Sequence, residues 1–176
     1  MENWVILFAR TGSEDKLVHM LRERLNGDEY LPFVPVKEMP YRNRGIIQKM
    51  KKPLFPGYIF LKTNVEPALI LDKLKLELTS VQGVYSILHY GSDKYDVVLN
   101  QSERFLWERL FDRESCIRGS EGFIEGDKIQ ITSGALMGIE GRIKKINRHK
   151  REATVEMELM GATRDVVLML EITKKI

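Results

Sequence analysis

Apolar positions recur along this chain with two different periods. Residues 3–9 (Asn-Trp-Val-Ile-Leu-Phe-Ala) form an apolar run with β-branched and aromatic members, which predicts a buried strand. Ser13 is a candidate helix N-cap, with Glu14 and Asp15 favourable to the dipole of the first turn. Leu17, Val18, Met20, Leu21 and Leu25 follow at helical spacing, and Asn26-Gly27 closes the helix. Residues 30–36 predict a second strand, placed at an edge or made irregular by Pro32 and Pro35. Residues 37–52 have few apolar anchors and read as a solvated loop or a long hairpin tip. A third strand spans 57–63. Pro67 opens a helix whose buried face is Leu69, Ile70, Leu74 and Leu78, and residues 84–88 form a fourth strand. Ser102-Glu103 opens a last helix with Phe105, Leu106, Leu110 and Phe111 as its stripe.

The order β-α-β-β-α-β plus one helix predicts an α+β fold with a ferredoxin-like N-terminal domain, its helices on one face of an antiparallel sheet. The texture changes near residue 113. Residues 113–122 are polar, carry two glycines and show no periodicity, so they read as a linker. Short strands then alternate with turns, at 128–132, 141–146, 153–159 and 165–170. About five short strands in so small a region predict a closed barrel, because closure removes exposed edges. The predicted organisation is a domain at 1–112, a linker at 113–122 and a second domain at 123–176.

Composition narrows the function. The 176 residues are 43% apolar and 30% charged, as in a folded soluble chain. No stretch approaches the roughly 20 apolar residues of a membrane helix. The N-terminus has no signal-peptide pattern, so a cytoplasmic setting is expected. The lone Cys116 has no Cys or His at metal spacing, so neither a disulfide nor a metal site is expected. His19, His89 and His149 have no nucleophile or carboxylate arranged beside them, and phosphate-loop and dinucleotide fingerprints are absent. No catalytic residue and no cofactor is expected.

Charge is distributed unevenly. Residues 37–52 carry six cations (Lys37, Arg42, Arg44, Lys49, Lys51, Lys52) against one acid, Glu38. Residues 142–151 carry six (Arg142, Lys144, Lys145, Arg148, Lys150, Arg151) and no acid. A solvated hairpin tip accounts for the second run. So does an RNA-binding loop made of Lys144, Lys145, Arg148, His149, Lys150 and Arg151. The first run is a candidate nucleic-acid loop through Arg42, Arg44, Lys49, Lys51 and Lys52, with Tyr41 available to stack, or a merely solvated one. Phe55-Pro56-Gly57-Tyr58 is a turn that launches a strand, and its flanking aromatics serve either the core or an exposed contact.

Trp4-Val5-Ile6-Leu7, Gly12 and Phe55-Pro56-Gly57-Tyr58-Ile59 resemble the N-terminal (NGN) domain of NusG-type transcription factors. The stretch from Phe123-Ile124-Glu125-Gly126-Asp127 to Gly141-Arg142-Ile143 resembles a KOW motif, an SH3-like five-stranded β-barrel, with Gly161-Ala162-Thr163 and Val166-Val167 in its last hairpin. The resemblance implies an N-terminal domain that binds the clamp helices of RNA polymerase through an apolar depression lined by Trp4, Phe55, Pro56 and Tyr58. It implies a KOW domain that recruits a partner such as ribosomal protein S10 or Rho. Ala135-Leu136-Met137 departs from the family's usual Pro-Phe pair, and the 144–151 hairpin is unusually basic. In both respects the chain is most similar to the specialised LoaP-type branch, whose members antiterminate and recognise an RNA hairpin in the leader transcript. A monomer acting on polymerase and nascent RNA, and near non-template DNA, is the expectation. An RNA-binding module of the RRM class shares the strand order, with Gly57-Tyr58-Ile59-Phe60 as its superficial aromatic strand.

Overall fold

The computed structural model describes residues 1–175; Ile176, the last residue of the expected second domain, lies outside them. The chain divides into two compact units, one of Met1–Pro35 with Phe55–Arg104 and the other of Val36–Leu54 with Phe105–Ile176.

In the first unit, β1 (Asn3–Ala9), α1 (Glu14–Arg24), β2 (Tyr30–Phe33), β5 (Tyr58–Thr63), α2 (Pro67–Leu78) and β6 (Val84–Ile87) follow the expected order, with two further strands, β3 (Val36–Asn43) and β4 (Ile46–Pro53), inserted in the chain after β2. The sheet order is β2-β5-β1-β6, all antiparallel. Strand alternation sends Val5, Leu7, Ala9, Ile59 and Leu61 to one face, where they share a core with Leu17, Val18 and Leu21 of α1 and Ile70, Leu71 and Leu74 of α2. Leu69, expected in that face, is 52% exposed. Residues 68–71 are all apolar, so the sequence leaves the helix phase open, and packing selects Leu71 in its place beside the expected Ile70.

Ser13 stands at the N-cap of α1 as expected, but its side chain makes no capping bond. Asn100 caps the third helix, α3 (Gln101–Leu110), its Oδ1 accepting from Glu103 N at 2.9 Å. The stripe of α3 is also shifted. Phe105 is 51% exposed, whereas Trp107 is fully buried and donates from Nε1 to Glu158 O at 3.2 Å.

The second unit contains β3 (Val36–Asn43) and β4 (Ile46–Pro53), a regular hairpin where a loop or tip was expected. Arg44 and Gly45, with φ of 48° and 81°, form the two-residue turn that matches strand twist. The segment 113–122, expected as a linker, is built into the unit. It holds β7 (Cys116–Ile117), parallel to β3, and the start of β8 (Ser120–Glu125), with Cys116, Ile117 and Ser120 buried. Its polar residues are spent on one another. Asp112 Oδ1 accepts from Glu114 N and Cys116 N, and Arg118 pairs with Asp112, Glu114 and Glu38.

After β8 come β9 (Lys128–Ser133), a single 3-10 turn (Glu140–Arg142), β10 (Ile143–Asn147), β11 (Glu152–Leu159) and β12 (Ala162–Lys175). Five strands join in the order β10-β11-β12-β8-β9, with β12 antiparallel to β11 and parallel to β8. Among the described residues no pairing joins β9 to β10, so the sheet is open where a closed barrel was expected. The loop between these two strands is not extended: Met137 N donates to Gly134 O, Ile139 N to Leu136 O and Gly138 N to Glu140 Oε1.

Candidate binding sites

The first site is built around the 55–58 turn. Tyr58 N donates to Phe55 O at 3.0 Å, with Pro56 and Gly57 at the two central positions and Gly57 at φ +85°. Gly57 N donates to Glu14 Oε1 at 2.6 Å, and Gly57 O accepts from Ala9 N at 2.7 Å. Glu14, expected only to favour the helix dipole, is 5% exposed and instead holds this turn against β1. A Cβ on Gly57 would lie 3.0 Å from Thr11 Oγ1 and 3.2 Å from Ala9 O, so this position needs glycine for both its φ and its space.

The turn feeds a continuous belt of rings. Trp4 meets Phe33 and Phe60 edge-on, with centroids 5.6 and 6.2 Å apart. Phe60 stacks on Phe55, Phe55 meets Tyr58, Tyr58 meets Phe8 and Phe8 meets Tyr85, all within 6.4 Å. The belt runs from buried to exposed: Trp4 is 1%, Phe55 8%, Phe8 40% and Tyr85 58% exposed. Tyr58 is half-buried and Pro56 exposed. Of the four predicted contact residues, then, Pro56 and Tyr58 reach the surface while Trp4 and Phe55 back the patch from within. Phe8 and Tyr85 complete it. Neither carried a motif, and only the strand alternation that pairs Phe8 with Tyr58 could have found one of them. Of the rings the RRM reading would use, Trp4 and Phe60 are buried, and Phe8 and Tyr58 reach the surface.

The second site is the turn between β10 and β11. Asn147 pairs with Glu152, and the intervening four residues close through Arg151 N to Arg148 O at 3.2 Å and Lys150 N to Asn147 Oδ1 at 3.0 Å. The predicted cations divide here. Lys144 Nζ lies 2.9 Å from Asp165 and 3.5 Å from Glu156; the hydrogen bond to Asp165, foremost, raises its pKa. Arg151 pairs with Glu171 at 3.1 Å. The side chains of Lys145, Arg148, His149 and Lys150 are exposed and have no partner among the described residues. Beside the turn lies an open groove of about 610 Å³ that reaches Ile172 of β12.

The third site is the β3–β4 hairpin. Lys49 and Lys51 are held by Glu38 at 3.7 Å and Glu114 at 2.7 Å. Lys37 is partly buried and donates to Val167 O at 2.6 Å; burial lowers its pKa. Arg42, Arg44 and Lys52 are exposed without a partner among the described residues, and Tyr41 is 47% exposed.

The first unit thus carries an aromatic patch and the second a cationic turn. The profile described as "Transcription termination factor nusG" matches residues 2–105, and the chain belongs to that family. It is similar to the transcription termination/antitermination protein NusG of Rickettsia bellii, at 22% identity over 99% of this chain and 90% of that one. It is equally similar to the Thermus thermophilus protein of the same description, at 22% identity over 94% of each chain. Among solved structures, one described as "Domain interaction in Thermotoga maritima NusG" shares the fold, with a TM-score of 0.55 at 18% identity over 97% of this chain and 93% of that one.

Proposed function

We propose that this NusG-family chain is a specialised elongation and antitermination factor, whose first unit docks on the clamp helices of RNA polymerase and whose second unit recognises an RNA hairpin in the nascent transcript. The 1–112 and 123–176 regions would act as the NGN and KOW domains, the open five-stranded sheet corresponding to the SH3-like KOW barrel. The observation that carries the RNA reading is the set of four basic side chains, Lys145, Arg148, His149 and Lys150, exposed together with no carboxylate to neutralise them. Phosphates released from their counterions are the natural partners of such a cluster. The exposed rings of Phe8 and Tyr85, with half-buried Tyr58, supply the apolar anchor for a protein partner at the other site. Arg42, Arg44 and Lys52 would face non-template DNA.

Fluorescence anisotropy of the full chain against RNA hairpins and their scrambled-stem counterparts at moderate salt tests this reading. Selective hairpin binding, lost on combined change of Lys145, Arg148 and Lys150 to Ala, is the expected result. Equal, weak binding to both, indifferent to that change, would refute it.

A second reading has one observation in its favour. Met137 is 53% exposed in the loop after β9, an apolar contact suited to a protein. A general NusG-type factor, whose second unit binds ribosomal protein S10 or Rho, would then be the better description. Binding of one of these proteins, lost in Met137→Asp, with no hairpin selectivity, distinguishes it.

A further inference from the structure

The groove beside the β10–β11 turn contains one acid among its cations. Glu171 Oε1 lies 3.1 Å from Arg151 Nη1 in an ion pair, and each side chain keeps 34% of its surface. Oε2 has no partner among the described residues. A carboxylate repels phosphate, so a groove made only to follow an RNA backbone gains nothing from Glu171. The ion pair with Arg151 keeps the carboxylate in the groove, and an acceptor held there selects a donor edge. Ile146 and Ile172, both half-buried, line the same groove with apolar surface that a flat base can cover. The groove's volume of about 610 Å³ lies inside the roughly 300–1,000 Å³ range of small-ligand sites.

We infer that this groove receives one unpaired guanine of the RNA and that Glu171 reads its Watson–Crick edge. The inference rests on the RNA reading above and specifies the ligand of that site. Guanine presents N1–H and N2–H side by side, two donors for one carboxylate. Its two oxygens keep enough lone pairs to serve the base and Arg151 together. Adenine, cytosine and uracil each set a lone donor group beside an acceptor, which meets the carboxylate's lone pairs. Sequence-specific recognition of RNA falls mainly on such unpaired bases, because those in the stem hide these edges. Lys145 and Arg148 at the rim hold the flanking phosphates.

The test uses the full chain and four RNA hairpins with one common stem and a single bulged G, A, C or U. The bulged-G hairpin is expected to bind about fivefold tighter or more than the others, the span of one good base contact. Glu171→Gln should bring all four within about twofold of one another and leave the salt dependence at least as steep. If all four bind the native chain equally, with an affinity that falls in the Lys145, Arg148 and Lys150 triple variant, the guanine site is overturned and the RNA reading stands. A guanine preference that survives in folded Glu171→Gln overturns the role of Glu171. No RNA binding at all overturns both. Should the Gln variant fail to fold, the native chain's panel decides alone.

Discussion

At the scale of single residues, the aromatic belt separates packing from contact. Trp4 is buried against Phe33 and Phe60, so Trp4→Ala should cost about 3–5 kcal/mol of stability. Tyr85→Ala at the exposed end should leave the urea midpoint almost unchanged and weaken polymerase binding in a pull-down. The reverse pattern would remove the exposed patch from the proposed interface. Gly57→Ala forces an L residue to φ +85° with an oxygen at 3.0 Å, and should lower stability by about 1–3 kcal/mol in denaturant unfolding. Glu14→Ala leaves the Gly57 N–H without its acceptor and should cost about 1–3 kcal/mol. The 55–58 turn was legible in the sequence because Pro-Gly has one dominant use. The part of Glu14 was not, since it depends on a contact 43 positions away along the chain.

Among elements, the segment 112–119 shows how a polar stretch becomes structure. Burial opposes the charge on Glu38, but the hydrogen bonds from Gly119 and Arg118 outweigh it and hold its pKa below the usual carboxylate value. Asp112 is lowered in the same way, against its own desolvation, by Cys116, Arg118 and Glu114. Carboxylates depressed in the folded state stabilise it above their unfolded pKa values, and that contribution is lost as pH falls through the lower folded ones. Thermal stability should therefore drop below about pH 4.5, and Arg118→Met should flatten that drop. High salt should reduce it too, because the guanidinium is solvent-exposed. Composition alone reads residues 113–122 as a linker, since hydropathy registers their charges and not their pairing. The same blindness to phase misplaced Leu69 and Phe105. Each sits in a run of consecutive apolar residues where any of several helical faces satisfies the period.

For the whole molecule, the charge pattern makes a sharper prediction than the net charge of +3. Removing the charges of Lys145, Arg148 and Lys150 should flatten the dependence of log K on log salt by about 0.7–0.9 for each phosphate no longer neutralised. Lys144→Ala should change that slope less, because Asp165 and Glu156 already engage its ammonium. The four strands of the first sheet and the position of the basic turn could be read from periodicity and turn residues. The insertion of β3 and β4 into the second unit could not. A hairpin with few apolar anchors announces neither its pairing nor its neighbours.

β12 has a consequence for biosynthesis. It is the last of the described strands to be made, and it is the one on which both β11 and β8 pair. The strands of the first sheet are all complete by Ile87. On a ribosome the first sheet can therefore assemble while the second still lacks its central strand. A nascent chain arrested before Ala162 would expose β8 and β11 as open edges, and limited proteolysis of such stalled chains should cut the second unit while sparing the first. The order of synthesis thus delivers the aromatic patch before the cationic turn has a sheet to stand on.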